Sequence, residues 1–100
     1  MVTAIIEVKV TPEAKYGYNS VAKTVAEFKE VESVYLTSGR YDLTVIVNCP
    51  EMKDVSRFVS TKLSTIRGVG HTTTNIIMER YKQSGEILEQ DEDERGLYTV

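Results

Sequence analysis

A chain of 100 residues with one cysteine, one histidine and no tryptophan has little of what metal centres and thiol chemistry require. Cys49 alone closes no internal disulfide, and Cys49 with His71 falls short of the four ligands of a structural zinc site. No metal or cofactor is therefore expected. Two prolines and six glycines exclude collagen-like and low-complexity chains. No run reaches the roughly 18 apolar residues of a membrane helix. Glu7 and Lys9 also interrupt the opening stretch MVTAIIEVKV, where a signal peptide keeps an apolar core. The expectation is a cytoplasmic protein without membrane contact. Clustered basic residues are missing as well: Lys and Arg are scattered, which argues against direct contact with nucleic acid.

What is present is an ordinary globular composition, 41% hydrophobic and 27% charged, at a length that supports one core. The net charge of −3 is unevenly placed. Six acids and one base fall between Glu86 and Val100, so residues 84–100 read as an acidic tail on a nearly neutral domain, residues 1–83. The acids of residues 91–94 read as a solvated segment, and Leu97, Tyr98 and Val100 as an apolar tip able to dock on a neighbouring subunit.

Periodicity divides the domain into six elements. Residues 2–10 alternate, with Val2, Ala4, Ile6, Val8 and Val10 on one side, and read as a half-buried strand. Asn19 or Ser20 caps a helix running to about Lys29, with Val21, Ala22, Val25, Ala26 and Phe28 on its apolar face. Residues 31–37 and 41–48 form a hairpin around Ser38, Gly39 and Arg40. A second helix starts at Glu51, sets Met52, Val55, Val59, Leu63 and Ile66 on one stripe, and stops at Gly68. Residues 72–82 form the last strand, and the pattern fades beyond Gln83.

The order βαββαβ predicts an α+β, ferredoxin-like fold, in which right-handed crossovers set both helices on one face of a four-stranded antiparallel sheet. The other face stays bare. With Ile5, Val34, Leu36, Ile46 and Ile77 expected on it, it predicts dimerisation through the sheet. Tyrosines 16, 18, 35, 41, 81 and 98 are further interface candidates.

Two stretches carry a family resemblance. The run VYLTSGRYDL, with T-x-G-x-Y-D at residues 37–42, and the run IRGVGHTTT, with G-V-x-x-T-x-T at residues 68–74, resemble the effector-binding (RAM) domain of the Lrp/AsnC regulators. The resemblance covers roughly residues 2–82. It implies a dimeric α/β barrel whose dimers associate into octamers or decamers with amino acids held between them. It also implies partnership with full-length regulators, because the family's helix-turn-helix does not precede the first strand here, as in the stand-alone members. Carried over residue by residue, it implies ligand contacts from Gly39, Tyr41, Asp42, Thr72 and Thr74, with Leu36 as a further lining residue.

The chemistry of those residues fits an amino acid, which needs an acceptor for its ammonium and donors for its carboxylate. Asp42 supplies the first; backbone around Ser38, Gly39 and Arg40, with the hydroxyls of Thr72 and Thr74, supplies the second. Each residue also has a plainer role. Gly39 suits a tight turn, Asp42 can accept backbone N–H groups or pair with Arg40, and Thr72, Thr73 and Thr74 are good strand formers. His71 lacks the acid or nucleophile partner of a general base, and Cys49 reads as a small buried hydrophobe. The leading expectation is an amino-acid sensor that performs no catalysis. The alternative is a small dimeric α/β-barrel enzyme, an isomerase or cofactor-free monooxygenase, and a purely structural subunit is a third reading.

Overall fold

The computed structural model describes residues 1–11 and 17–89. Tyr16, the acids of residues 91–94 and the apolar tip at Leu97, Tyr98 and Val100 lie outside them.

Strands β1 (Val2–Val10), β2 (Val31–Leu36), β3 (Leu43–Cys49) and β4 (Val69–Ile76) form one antiparallel sheet in the order β2-β3-β1-β4. Helices α1 (Gly17–Ala26) and α2 (Met52–Thr61) supply the crossovers. This is the ferredoxin-like α+β plan. The two central strands hold the core because alternate residues of each, Ala4, Ile6 and Val8 with Leu43, Val45, Val47 and Cys49, point toward the helices and are fully buried. Val21 and Val25 of α1, Val55 and Phe58 of α2, and Leu63 in a short 3-10 turn close over them. Phe28 meets Phe58 edge-to-face, with centroids 5.6 Å apart.

Several boundaries depart from the periodicity. Helix α1 begins at Gly17 and ends at Ala26, short of Lys29. Its last turn tightens through i→i−3 bonds, Glu27 N–H to Thr24 O and Phe28 N–H to Val25 O, both 3.2 Å, which swing Phe28 onto Phe58. Met52 is 58% exposed, and Ile66 follows the 3-10 turn, so neither extends the buried stripe of α2. Strand β4 starts at Val69, already opposite Val10, and ends at Ile76. In place of a single strand to residue 82, the chain folds back as a small hairpin, β5 (Lys82–Gln83) with β6 (Glu86–Ile87). Ser84 and Gly85 both take positive φ, 51° and 83°, as a two-residue hairpin turn requires.

The bare face differs from expectation in one strand. Ile5 and Ile46 sit directly opposite each other on it, and Ile77 follows at the next alternate position. Val34 and Leu36 do not. They pair with Val45 and Leu43 and so face the helix side, while Ser33 and Tyr35 take the open face. The cause is an irregularity between Val31 and Ser33: one extra residue inverts the side assignment of everything beyond it.

Candidate functional site

The loop between β2 and β3 is closed by Thr37 N–H donating to Asp42 O at 2.9 Å, with Gly39 at its tip at φ 114°. A Cβ there would meet open space, so the glycine answers to backbone conformation and not to crowding. Asp42 fastens this loop to β1. Its N–H donates to Val8 O at 3.0 Å, its Oδ2 accepts from Val10 N–H at 2.8 Å, and Lys9 Nζ lies 3.7 Å from the same oxygen. The contacts fall where the β1–β4 register shifts, between Val8 and Val10, and satisfy a backbone donor the irregular ladder leaves over. Asp42 thus performs the backbone role foreseen for it, with Lys9 and not Arg40 as its ionic partner.

Tyr41 leaves the loop in another direction. It passes over β1 to the open face, where its hydroxyl and Thr73 Oγ1 are 2.7 Å apart and its ring stacks on His71 at 6.1 Å between centroids. Strand β4 therefore presents His71, Thr73 and Asn75 to the open face. Thr72 and Thr74, paired with Val8 and Ile6, face the helix side. Of the six expected ligand residues, the structure gathers Gly39, Tyr41 and Asp42 in one loop and leaves Leu36, 64% exposed, at its root. It sets Thr72 and Thr74 apart, beyond β1 and about 10 Å from the loop at two strand spacings.

Beside Tyr41 the open face holds a depression of 230 Å³ lined by Glu7, Thr37, Ser38, Arg40, Tyr41 and Thr44. Within these few residues are a carboxylate, a guanidinium and three aliphatic hydroxyls, the groups that pair with an ammonium and a carboxylate. Sequence reasoning missed Glu7, Thr44 and Thr73. The signal was the β1 alternation, which sets Glu7 opposite Thr44 and Thr73 on its two neighbours. At the far end of the same face, a chain of hydrogen bonds crosses the sheet: Asn48 Nδ2 to Glu32 Oε1 at 2.8 Å, Thr3 Oγ1 to Asn48 Oδ1 at 2.6 Å, and Arg80 Nη2 to Thr3 Oγ1 at 2.7 Å. Polar groups thus bracket an apolar centre at Ile5 and Ile46. Among the described residues, no cluster of three His, Cys, Asp or Glu offers a metal site, and no helix is long and apolar enough to cross a membrane.

The family model of the Lrp/AsnC ligand binding domain matches residues 3–87. An uncharacterized transcriptional regulator of the helix-turn-helix type from Bacillus subtilis, YugG, is 50% identical over 96 residues, 96% of this chain and 58% of that protein. Among solved structures, FFRP-DM1 is 28% identical with a TM-score of 0.70, over 78% of this chain and all of that one. A Neisseria meningitidis regulator, NMB0573, solved as a complex with L-Met, shares the fold at a TM-score of 0.77 and 23% identity, over 87% of this chain and 56% of its own. The chain spans little more than half the length of the curated regulators it matches.

Proposed function

The chain belongs to the Lrp/AsnC ligand-binding domain family, and from that premise we propose that it is an amino-acid-sensing assembly module of a transcription-regulatory system. The family is a regulatory ligand-binding one, which sets the enzyme alternative aside. An amino acid binds at the loop end of the open face, with Glu7 accepting from the ammonium and Arg40, Ser38 and backbone around Gly39 receiving the carboxylate. Two copies pack through their sheet faces, and dimers associate further into octamers or decamers. A full-length regulator of the family, in the cytoplasm, reads the assembly, and the domain touches no DNA itself. The observation that carries this reading is that Glu7 and Arg40 both line a 230 Å³ depression beside Tyr41 and the T-x-G-x-Y-D loop. The complex of the Neisseria regulator with L-Met supports the ligand class.

Ligand that prefers one assembly stabilises it by mass action, about 2.7 kcal/mol per site at 100 times the dissociation constant. Native mass spectrometry with each of the twenty amino acids tests the proposal directly. A subset binding at one per subunit and moving the distribution toward larger even-numbered oligomers is the expected result, and Glu7→Gln abolishes it. A chain that neither binds nor changes mass overturns the sensing reading.

A further inference from the structure

Along α2, Asp54, Arg57, Phe58 and Thr61 recur at three- and four-residue spacing and, with the C-cap Lys62, form one stripe. That stripe and the connection from α1 to β2, at Lys29 and Glu30, line a cavity of 310 Å³. Its floor is apolar: Cys49 and Phe58 are only 1% and 2% exposed. The volume reaches the lower bound of ligand-binding clefts, which join an apolar lining to a few polar groups. Burial, and after it the Glu30 and Asp54 carboxylates nearby, pushes the Cys49 thiol up, so the floor is uncharged near neutrality. The cavity is separate from the depression beside Tyr41. Cys49 ends β3 on the helix side, whereas Thr44 lies near its start on the open face, five positions or roughly 17 Å away.

The walls carry three cations, Lys29, Arg57 and Lys62, against two carboxylates, Glu30 and Asp54, a surplus of one positive charge. Lys62 is committed to Glu30 at 2.6 Å and stands 5.8 Å from the Phe28 ring. The Arg57 guanidinium has a looser ion pair with Asp54, at 3.7 Å, and Lys29 has no hydrogen bond or ion pair among the described residues. Glu30 Oε1 is buried and, among the described residues, has no donor, a costly position for a carboxylate oxygen. The cavity therefore matches a ligand with one anionic group and one neutral donor on an aliphatic body. A zwitterion suits it less well, because it leaves the surplus charge uncompensated and sets its own cation among three others.

We propose that this cavity binds a small α-hydroxy carboxylate: Lys29 and Arg57 take the carboxylate, the hydroxyl donates to Glu30 Oε1 after a small turn of that side chain, and the aliphatic body lies on Phe58 and Cys49. Binding offsets the surplus charge and gives the buried oxygen its donor. The site is formed within one chain, on the layer away from the open face, so it depends neither on the sensing site nor on the dimer proposed above.

Titration of the isotope-labelled full-length chain with α-hydroxyisocaproate, isocaproate and leucine, which share one carbon skeleton, tests this through the amide shifts it causes. α-Hydroxyisocaproate is expected to move the amides of Lys29, Glu30, Cys49 and α2. It is expected to bind there roughly five- to tenfold tighter than isocaproate, which lacks the donor, or leucine, which adds a cation. Lys29→Glu reverses an exposed charge, leaves circular dichroism unchanged and removes these shifts, and Arg57→Gln weakens binding. Equal affinity for isocaproate overturns the Glu30 contact and the hydroxy-acid class with it, and equal affinity for leucine overturns the charge argument. No shift at these amides with millimolar probe, or shifts that survive Lys29→Glu, overturns the site itself. Shifts confined to Glu7, Tyr41 and Thr44 also overturn it, and they leave the sensing reading standing.

Discussion

Replacing Asp42 by alanine removes two contacts at once: the acceptor for Val10 N–H at 2.8 Å and the Lys9 pair at 3.7 Å. The side chain is only 15% exposed, so the freed N–H gains little from water, and the expected loss of stability is about 1–3 kcal/mol. Tyr41→Phe removes only the bond to Thr73, at about 0.5–1.5 kcal/mol, and keeps the ring over His71. Thermal unfolding of the two variants beside amino-acid binding separates support of the loop from contact with ligand. Asp42→Ala is expected to lower the melting temperature by more than Tyr41→Phe, each in proportion to its loss of stability. Glu30 offers a second residue-scale prediction. Burial acts to raise its carboxyl, but the hydrogen bond from Lys62 at 2.6 Å, a backbone bond and the charges of Lys62 and Lys29 outweigh that and hold it below the usual carboxylate range. A carboxyl lowered by folding contributes stability that is present above its unfolded value and lost as pH falls through its folded value. Lys62→Met removes the partner of a largely buried charge whose Oε1 has no hydrogen-bond partner among the described residues. With Lys62 itself 37% exposed, the cost is about 1–2 kcal/mol near neutrality. In a melting series from neutral to acid, the variant is expected to approach the parent protein as Glu30 protonates. A gap that does not narrow refutes the assignment.

Most of the elements were legible because burial enforces period. Ala4, Ile6 and Val8, and later Leu43, Val45 and Val47, alternate strictly since one face of the sheet must be dry, and Val21, Val25, Val55 and Phe58 recur at helical spacing for the same reason. What stayed hidden was decided by single residues that no pattern marks. One irregularity after Val31 moved Val34 and Leu36 to the helix side and Tyr35 to the open face. The start of β4 was hidden too, since Gly68, Val69 and Gly70 carry no strand signal until Val69 is set against Val10. Gly70 shows why small size is needed there: a Cβ would stand 2.5 Å from Thr11 Cγ2 and 3.3 Å from Lys9 O. The hydroxyl-bearing side chain can turn aside but the carbonyl is held in β1. Gly70→Ala is therefore expected to cost about 1–3 kcal/mol by forcing β4 away from the end of β1. Faster amide exchange at residues 9–11, where Thr11 N–H donates to Gly68 O at 2.8 Å, is the measurement that checks it. The candidate site was half legible on the same logic. Loop chemistry around Gly39, Tyr41 and Asp42 was visible in sequence, whereas Glu7, Thr44 and Thr73 become neighbours only once three strands are in register.

At the scale of the molecule, the proposed sensing role makes the open face the surface through which ligand would reach a regulator. Its centre, Ile5 opposite Ile46, is apolar and its two ends are polar, the Glu7 and Tyr41 cluster at one and the chain from Glu32 to Arg80 at the other. An interface of that make-up draws its affinity from the centre and its alignment from the ends. In the proposed reading, ligand in the depression beside Tyr41 lies on the margin of the same face, its charges are set against the second copy, and occupancy and assembly share one free energy. Ile46→Asp separates the two. In the isolated subunit Ile46 is half-buried on the bare face, outside the core, and the substitution is expected to leave circular dichroism intact. In a face-to-face dimer it buries two carboxylates against apolar partners, a cost of several kcal/mol that shifts sedimentation to the monomer. If the face is the interface through which ligand acts, this monomer also binds its amino acid more weakly than the parent protein, by the factor with which ligand strengthens the dimer. Equal affinity in monomer and dimer would mean that the depression is complete within one chain and that ligand changes assembly by another route.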